Sequence, residues 1–269
     1  RRSELQRHKG GENIKPIKCD LPAELESVEL YDLADFHIGD MMCDFKLVQA
    51  LIDHVRDTPN AYCILGGDLM DTAIASSIGD TYSANAQPME QIKLCVKLFE
   101  PIKDKILCIL HGNHENRVYK ADGIDITELI AAQLGIADRY SPTTALLFIR
   151  FGHDIKHNRR ICYTVYATHG HGGGRKEGGK INNLADLASI VDADCYICGH
   201  VHTPASFKNS YYRTDPQNNG VQKVTKLFVS TASALDYGGY GDVQGYKPSA
   251  NDYPHITFDG AKKFMRASV

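Results

Sequence analysis

Residues 61–65, Ala-Tyr-Cys-Ile-Leu, form an apolar run long enough for a buried strand and too short for a helix, and they lead directly into Gly66-Gly67-Asp68. A carboxylate just past the carboxyl end of a buried strand, behind glycines that let backbone and ligand approach closely, suits the ligand crevice of an α/β sheet. Gly-Asp alone is also an ordinary turn signal, so the constraint comes from repetition. Four more short apolar runs end in the same way: 28–33 before Asp35 and His37, 106–110 before Asn113 and His114, 161–168 before His169, and 195–198 before His200 and His202.

The segments between these runs read mostly as helices. Asp44 is placed to cap an amphipathic helix whose stripe is Phe45, Leu47, Val48, Leu51, Ile52 and Val55, which leaves His54 on its surface. Residues 89–99, 125–134 (closed by Gly135) and 181–191 have helical spacing as well. After Gly135 the period shifts towards two. Residues 145–151 and 161–168 predict a hairpin around the basic turn 154–160, and 206–213, 225–230 and 256–258 predict later strands. Residues 72–87 lack a period and read as a loop over the strand ends. A second loop, 170–179, is rich in glycine and carries His171, Arg175 and Lys176. No repeat and no linker divides the 269 residues, so a single domain over 23–269 is expected, preceded by a basic, partly disordered arm at 1–22.

Composition removes several classes of function. With 43% hydrophobic and 23% charged residues, the chain is neither disordered nor collagen-like. No apolar run approaches the roughly 20 residues that span a bilayer, so a cytoplasmic protein without a membrane partner is expected. The eight cysteines fall mostly in apolar runs and read as buried free thiols. Cys195 and Cys198 have CxxC spacing, but strand alternation points their sulfurs to opposite faces, against a zinc site. A net charge of −3 argues against a generally basic nucleic-acid binder while leaving room for local basic patches.

Asp35, His37, Asp68, Asn113, His169, His200 and His202 offer more oxygen and nitrogen donors than one ion can use. Two divalent ions roughly 3.5–4 Å apart need a bridging anion to offset their repulsion, and Asp68 is the natural bridge. Imidazole, carboxylate and one neutral amide suit Mn²⁺ best, with Fe²⁺ or Zn²⁺ as alternatives, and better than Ca²⁺.

Asp35-x-His37, Gly67-Asp68-x-x-Asp71, Gly112-Asn113-His114-Glu115, His169 and Gly199-His200-x-His202, in this order, resemble the five motifs of the calcineurin-like metallophosphoesterases. The resemblance implies a four-layer α/β/β/α sandwich of two mixed sheets flanked by helices, with a dinuclear site on the loops at the strand ends. It implies Asp35, His37 and His202 on one metal, Asn113, His169 and His200 on the other, and Asp68 between them. His114, next to a ligand but pointing elsewhere, is the expected general acid for a leaving oxygen. Asp71 and Glu115 are expected to orient His114 or other histidines rather than bind metal. Arg117, Arg175, Lys176 and Lys180 are candidates for substrate phosphates, with solvated loop charge as the alternative. His111 and His171, adjacent to ligands, are weaker candidates for touching metal or substrate.

Substrate class is harder to read. The Ser/Thr protein phosphatases of this superfamily carry Gly-Asp-x-x-Asp-Arg-Gly and an Arg just before Gly-Asn-His-Glu, where this chain has Asp71-Thr72-Ala73 and His111. Asp35-Phe36-His37-Ile38-Gly39 is instead similar to the superfamily's DNA repair nucleases. The expectation is therefore a metal-dependent phosphodiesterase, more specifically a DNA nuclease, with the basic segments 150–160 and 175–180 following the phosphodiester backbone. The alternatives are a cyclic-nucleotide or other small phosphodiesterase, a phosphomonoesterase, and, from a different class, a nucleic-acid-binding subunit with a vestigial metal site. Oligomeric partners are not legible.

Overall fold

The computed structural model describes residues 14–72, 87–154, 158–172, 176–238, 242 and 247–269. Two six-stranded sheets face each other. The first has the order β1(Ile14–Asp20), β6(Thr144–Asp154), β7(Arg159–Thr168), β8(Cys195–Cys198), β10(Gly220–Ser230), β9(Ala205–Asp215). The second runs β12(Met265–Ser268), β11(His255–Asp259), β2(Ser27–Asp32), β3(Ala61–Leu65), β4(Ile106–Leu110), β5(Tyr140–Ser141). Both are mixed. Strands β2, β3, β4 and β5 are parallel, as are β7, β8 and β10 and the edge pair β1 with β6, while β6 with β7, β9 with β10, and β11 with β2 and β12 pair antiparallel.

The core is layered accordingly. Between the sheets, Leu147, Val165, Ile197 and Leu227 of the first meet Leu30, Ile64, Leu110 and Ile256 of the second. Helices α1(Phe45–Asp57), α2(Pro88–Phe99) and α4(Ile126–Gln133) cover the outer face of the second sheet through Val48, Ile52, Cys95, Phe99 and Ile130. Helix α5(Glu177–Asp186) and the following turn cover the first sheet through Leu184 and Leu187, against Tyr166, Tyr196 and Phe228. This is the four-layer α/β/β/α sandwich.

Local chemistry sets most boundaries. Asp44 accepts the amides of Lys46 and Leu47 at 3.0 Å each, capping α1 as expected. Asp125 does the same for α4 through Glu128, and Gly135 beyond its end has φ of 73°. All eight cysteines are free, and Cys195 and Cys198 pack in different core layers. Among the described residues no helix is long and apolar enough to cross a membrane.

Several expectations change. The arm was expected to reach residue 22, but Ile14–Asp20 is strand β1, paired in parallel with β6, because Ile17 and Cys19 alternate inward. Residues 1–13 lie outside the described residues, as do 73–86 of the loop expected over 72–87. Helix α5 begins at Glu177 and ends at Asp186 rather than spanning 181–191, so Gly178 and Gly179, read as loop, lie in its first turn. An additional helix, α3(Glu115–Asp122), follows the Asn113 motif; with Glu115 its one buried residue, it has no apolar stripe to betray it.

Candidate metal centre

Because β2, β3 and β4 are parallel in one sheet and β7 and β8 in the other, their carboxyl ends open at one edge of the sandwich. Asp35, Asp68, Asn113, His169 and His200 each lie within three residues of such an end. The loops are laced together by backbone bonds: Asp35 N to Gly67 O and His37 N to Asp68 O, both 3.0 Å. Close approach explains two glycines. A Cβ on Gly112 would sit 2.1 Å from Asp68 N, and one on Gly67 would sit 2.8 Å from Gly112 and from His169 Nδ1. Asp35, His37, Asp68, His200 and His202 all have left-handed backbones, with φ between 48° and 68°. Non-glycine residues adopt this conformation at a cost of order 1 kcal/mol or more each, so packing holds the strain where the candidate ligands stand.

The seven expected ligands converge as two groups. In the first, His202 Nε2 lies 3.2 Å from both His37 Nε2 and Asp35 Oδ1. In the second, His169 Nε2 lies 3.0 Å from Asn113 Oδ1 and 3.3 Å from Asp68 Oδ2, and His200 Nδ1 lies 2.6 Å from Asn113 Oδ1. Donors about 2.1 Å from a shared ion stand roughly 3 Å from one another, so both groups have the spacing of ligand sets. Asp68 sits with the second group, and its Oδ1 accepts the amide of His114 at 2.8 Å.

The residues fit divalent ions. Buried Asp35 Oδ1 has no hydrogen-bond partner, an expensive arrangement unless a ligand is to be held nearby. Burial, with His114 and His202 alongside, holds the His37 imidazole well below its usual range, so it stays neutral with a lone pair to give. Burial lowers His200 likewise. His169 Nδ1 is fixed by Gly66 O at 2.9 Å, which aims Nε2 into the site. Burial alone would lower His169, but Asp68 outweighs it and pushes its pKa up to about 10, so an arriving ion must displace a proton there.

His114 stands beside both groups. Its Nδ1 lies 2.8 Å from Asp71 O and 3.3 Å from Asp71 Oδ1, as expected of an orienting Asp71. Burial would lower its pKa, yet the bond to Asp71 and the charge of Asp68 raise it overall. Arg117 Nη2 reaches His114 Nε2 at 2.9 Å. Glu115 orients no histidine: its carboxylate accepts the amides of Asp68, Gly112 and Met70 at 3.0–3.1 Å, tying two ligand loops from beneath.

The remaining candidates separate. His111 turns away and meets Asp125 at 3.2 Å. His171 and Lys176 are exposed, and Arg175 lies outside the described residues. Lys180 Nζ is engaged by Val201 O and Thr203 Oγ1. The basic turn after β6 is at the wrong end of the sandwich. Arg159 opens the ten-residue β7 and His169 follows its close, so at about 3.3 Å per residue they stand roughly 30 Å apart. There Arg150 and Arg160 meet Asp20, and Arg160 also bonds the carbonyls of Leu21 and Arg150, so the described residues of segment 150–160 do not flank the centre.

Residues that sequence reasoning missed lie behind the ligands. Thr231 Oγ and Ser233 Oγ bond the carbonyls of Asp32 and Asp35 at 2.9 and 3.0 Å; their signal was a small-residue run after an apolar strand, the grammar of the other loops. Asp32 is buried with both carboxylate oxygens unpartnered, and burial, then Asp35, push its pKa up to about 8.

The sequence matches the calcineurin-like phosphoesterase family over residues 36–204. The chain belongs to that family. The match spans four of the five strand ends that carry candidate ligands in full and begins one residue after Asp35. No curated protein sequence matches this phosphoesterase-family chain. Among solved structures it is similar to a predicted phosphoesterase from Streptococcus pneumoniae TIGR4 (13% identity, 90% of each chain, TM-score 0.40). It is also similar to Vacuolar Protein Sorting 29 from Cryptosporidium parvum (12%, 90% of this chain and 97% of that one, 0.44) and to a metallophosphoesterase from Sphaerobacter thermophilus (10%, 86% and 84%, 0.37).

Proposed function

We propose that this chain is a metal-dependent phosphodiesterase holding two ions, Mn²⁺ favoured: Asp35, His37 and His202 at one, Asn113, His169 and His200 at the other, and Asp68 shared. When bound, such ions activate water for in-line attack on phosphorus and neutralise phosphate oxygens. The chain's own contribution is the proton. Asp71 fixes His114 through Nδ1, which leaves Nε2 as the atom to protonate the leaving oxygen. Arg117, always a donor, occupies Nε2 here, and a phosphate oxygen offers its guanidinium a stronger partner. Transfer of Arg117 to substrate both binds the phosphate and frees Nε2 to take up from solvent the proton it then delivers to the leaving oxygen.

The observation that carries the diester reading is His111. It occupies the place of a protein-phosphatase arginine and points at Asp125, which leaves Arg117 as the cation that the described residues put beside His114. A monoester dianion has about one more charge to neutralise than a diester. DNA is the more specific substrate we infer, on the likeness of Asp35-Phe36-His37-Ile38-Gly39 to the DNA repair nucleases. The basic turn at 150–160 lends that reading no support, so backbone contacts fall to Arg117 and Lys176. The paired donor groups and the Asp71–His114 contact favour an enzyme over a binding subunit, which needs no proton donor.

Initial rates with Mn²⁺ on bis(p-nitrophenyl) phosphate, p-nitrophenyl phosphate and single- and double-stranded DNA test the proposal. A higher kcat/KM on the diester and degradation of DNA are expected. Preference for the monoester with DNA left intact makes the protein a phosphomonoesterase; diester turnover with DNA intact points to a small diester; no turnover with two ions bound leaves the binding subunit.

A further inference from the structure

We propose that Lys180 is a positioning residue for both halves of the metal centre: its ammonium clamps the carbonyl of Val201, the residue between His200 and His202, and so sets the spacing of one ligand in each group. The inference rests on the two-ion reading of the site.

The loop that carries these histidines has little else to hold its middle. His200 and His202 both have left-handed backbones, φ 68° and 50°, and no strand or helix spans Gly199–Thr203 to enforce them. On the inner side, Asp35 Oδ2 accepts the His200 amide at 2.9 Å, and at the outer end Ser249 Oγ bonds the His202 carbonyl. Between them stands Val201, whose amide is used within the loop by Gly199 O. Its carbonyl accepts Lys180 Nζ at 2.9 Å and Thr203 Oγ1 at 3.1 Å, and Lys180 Nζ reaches Thr203 Oγ1 at 2.6 Å. The ammonium, the Val201 carbonyl and the Thr203 hydroxyl thus form a triangle.

Lys180 comes from α5, packed on the outer face of the first sheet, so the clamp ties a strained loop to a rigid layer. His202 belongs with Asp35 and His37, and His200 with Asp68 and His169. A slack Val201 would let both imidazoles drift, and ligand groups act only when held to within a fraction of an ångström. The same contacts occupy Lys180 away from substrate, so it is not the phosphate-binding cation its sequence position suggested.

Calorimetric titration of Mn²⁺ alone into ion-free protein tests the clamp. Wild type is expected to bind two ions, Lys180→Met to bind them about tenfold to a hundredfold more weakly, and Lys180→Arg, which keeps a donor, to recover part of the loss. Thr203→Val should weaken binding in the same sense, and the double variant should be no worse than Lys180→Met alone. At saturating Mn²⁺ the KM of Lys180→Met for bis(p-nitrophenyl) phosphate should match wild type. Unchanged Mn²⁺ affinity in Lys180→Met, or a raised KM with metal binding intact, overturns the clamp; should Lys180→Met not fold, unchanged affinity in both Thr203→Val and Lys180→Arg does so. Wild-type protein that binds no Mn²⁺ overturns the two-ion reading itself, whereas two tight ions without diester turnover defeat the proposed activity and leave the clamp standing.

Discussion

The carboxylate of Glu115 accepts the backbone amide of Asp68 at 3.1 Å, so the residue after the expected general acid holds the proposed shared ligand from beneath. The same carboxylate takes the amides of Gly112 and Met70, and it is buried away from bulk water. Glu115→Ala leaves these amides unpaired at roughly 1–3 kcal/mol each, for a loss of about 3 kcal/mol or more. Urea unfolding of ion-free protein measures the loss; a change below about 1 kcal/mol would mean that the loops hold themselves.

Asp68 is placed with His169 and His200, and its proposed role as a bridge can be tested by counting ions. Asp68→Ala is expected to lose both, whereas His37→Ala should weaken mainly the group with Asp35 and His202. Inductively coupled plasma mass spectrometry on purified variants decides it, and two ions retained in Asp68→Ala remove the bridge.

His114 is separable from metal binding. His114→Ala should keep its ions and lose roughly 10²–10⁴-fold in turnover of a diester with a poor leaving group. The deficit should shrink on bis(p-nitrophenyl) phosphate, since p-nitrophenolate needs little protonation. Equal loss on both substrates would reassign His114 to holding the phosphate.

Arg117 and Arg159 should behave oppositely. Arg117→Ala is expected to raise KM for a small diester about tenfold or more, the loss of one charged hydrogen bond. Arg159→Ala, roughly 30 Å from His169, should leave both diester and DNA hydrolysis unchanged. A DNA-specific loss in Arg159→Ala would restore the distant basic turn to the substrate track.

Asp125 supplies a pH dependence away from the ions. Burial would raise its carboxyl, but bonds from His111, Tyr140 and the Glu128 amide outweigh burial and hold it below its usual 3.8. A depressed carboxylate contributes stability that is present above the unfolded pKa, near 4, and is lost as pH falls through the folded value. The stability advantage of wild type over Asp125→Asn should therefore be full at pH 6–7, on the order of one charged hydrogen bond, and shrink below about pH 4. Thermal melts across that range test it; an advantage that grows on acidification contradicts the sign.

Most of the strands and helices, though not β1, α3, β5 or β12, and the identity of the candidate ligands were legible along the chain, because each depends on a few adjacent residues. An apolar run of strand length, a Gly turn and a donor side chain announce themselves at Asp68 as at His200, and Asp44 and Asp125 cap their helices by bonds to amides two or three residues on. Tertiary structure decided what lies far apart in sequence. His37 and His202 meet across 165 residues, and only parallel pairing within each sheet brings their strand ends to one edge. The direction of β7 sends Arg159 to one end of the sandwich and His169 to the other, although both flank the same run. Edge strands β1 and β12 needed partners before they could be read as strands. The contacts of His111 with Asp125, Glu115 with the Asp68 amide and Lys180 with Val201 O have no local signature, since a charged side chain looks the same in sequence whether it faces solvent, substrate or a backbone carbonyl.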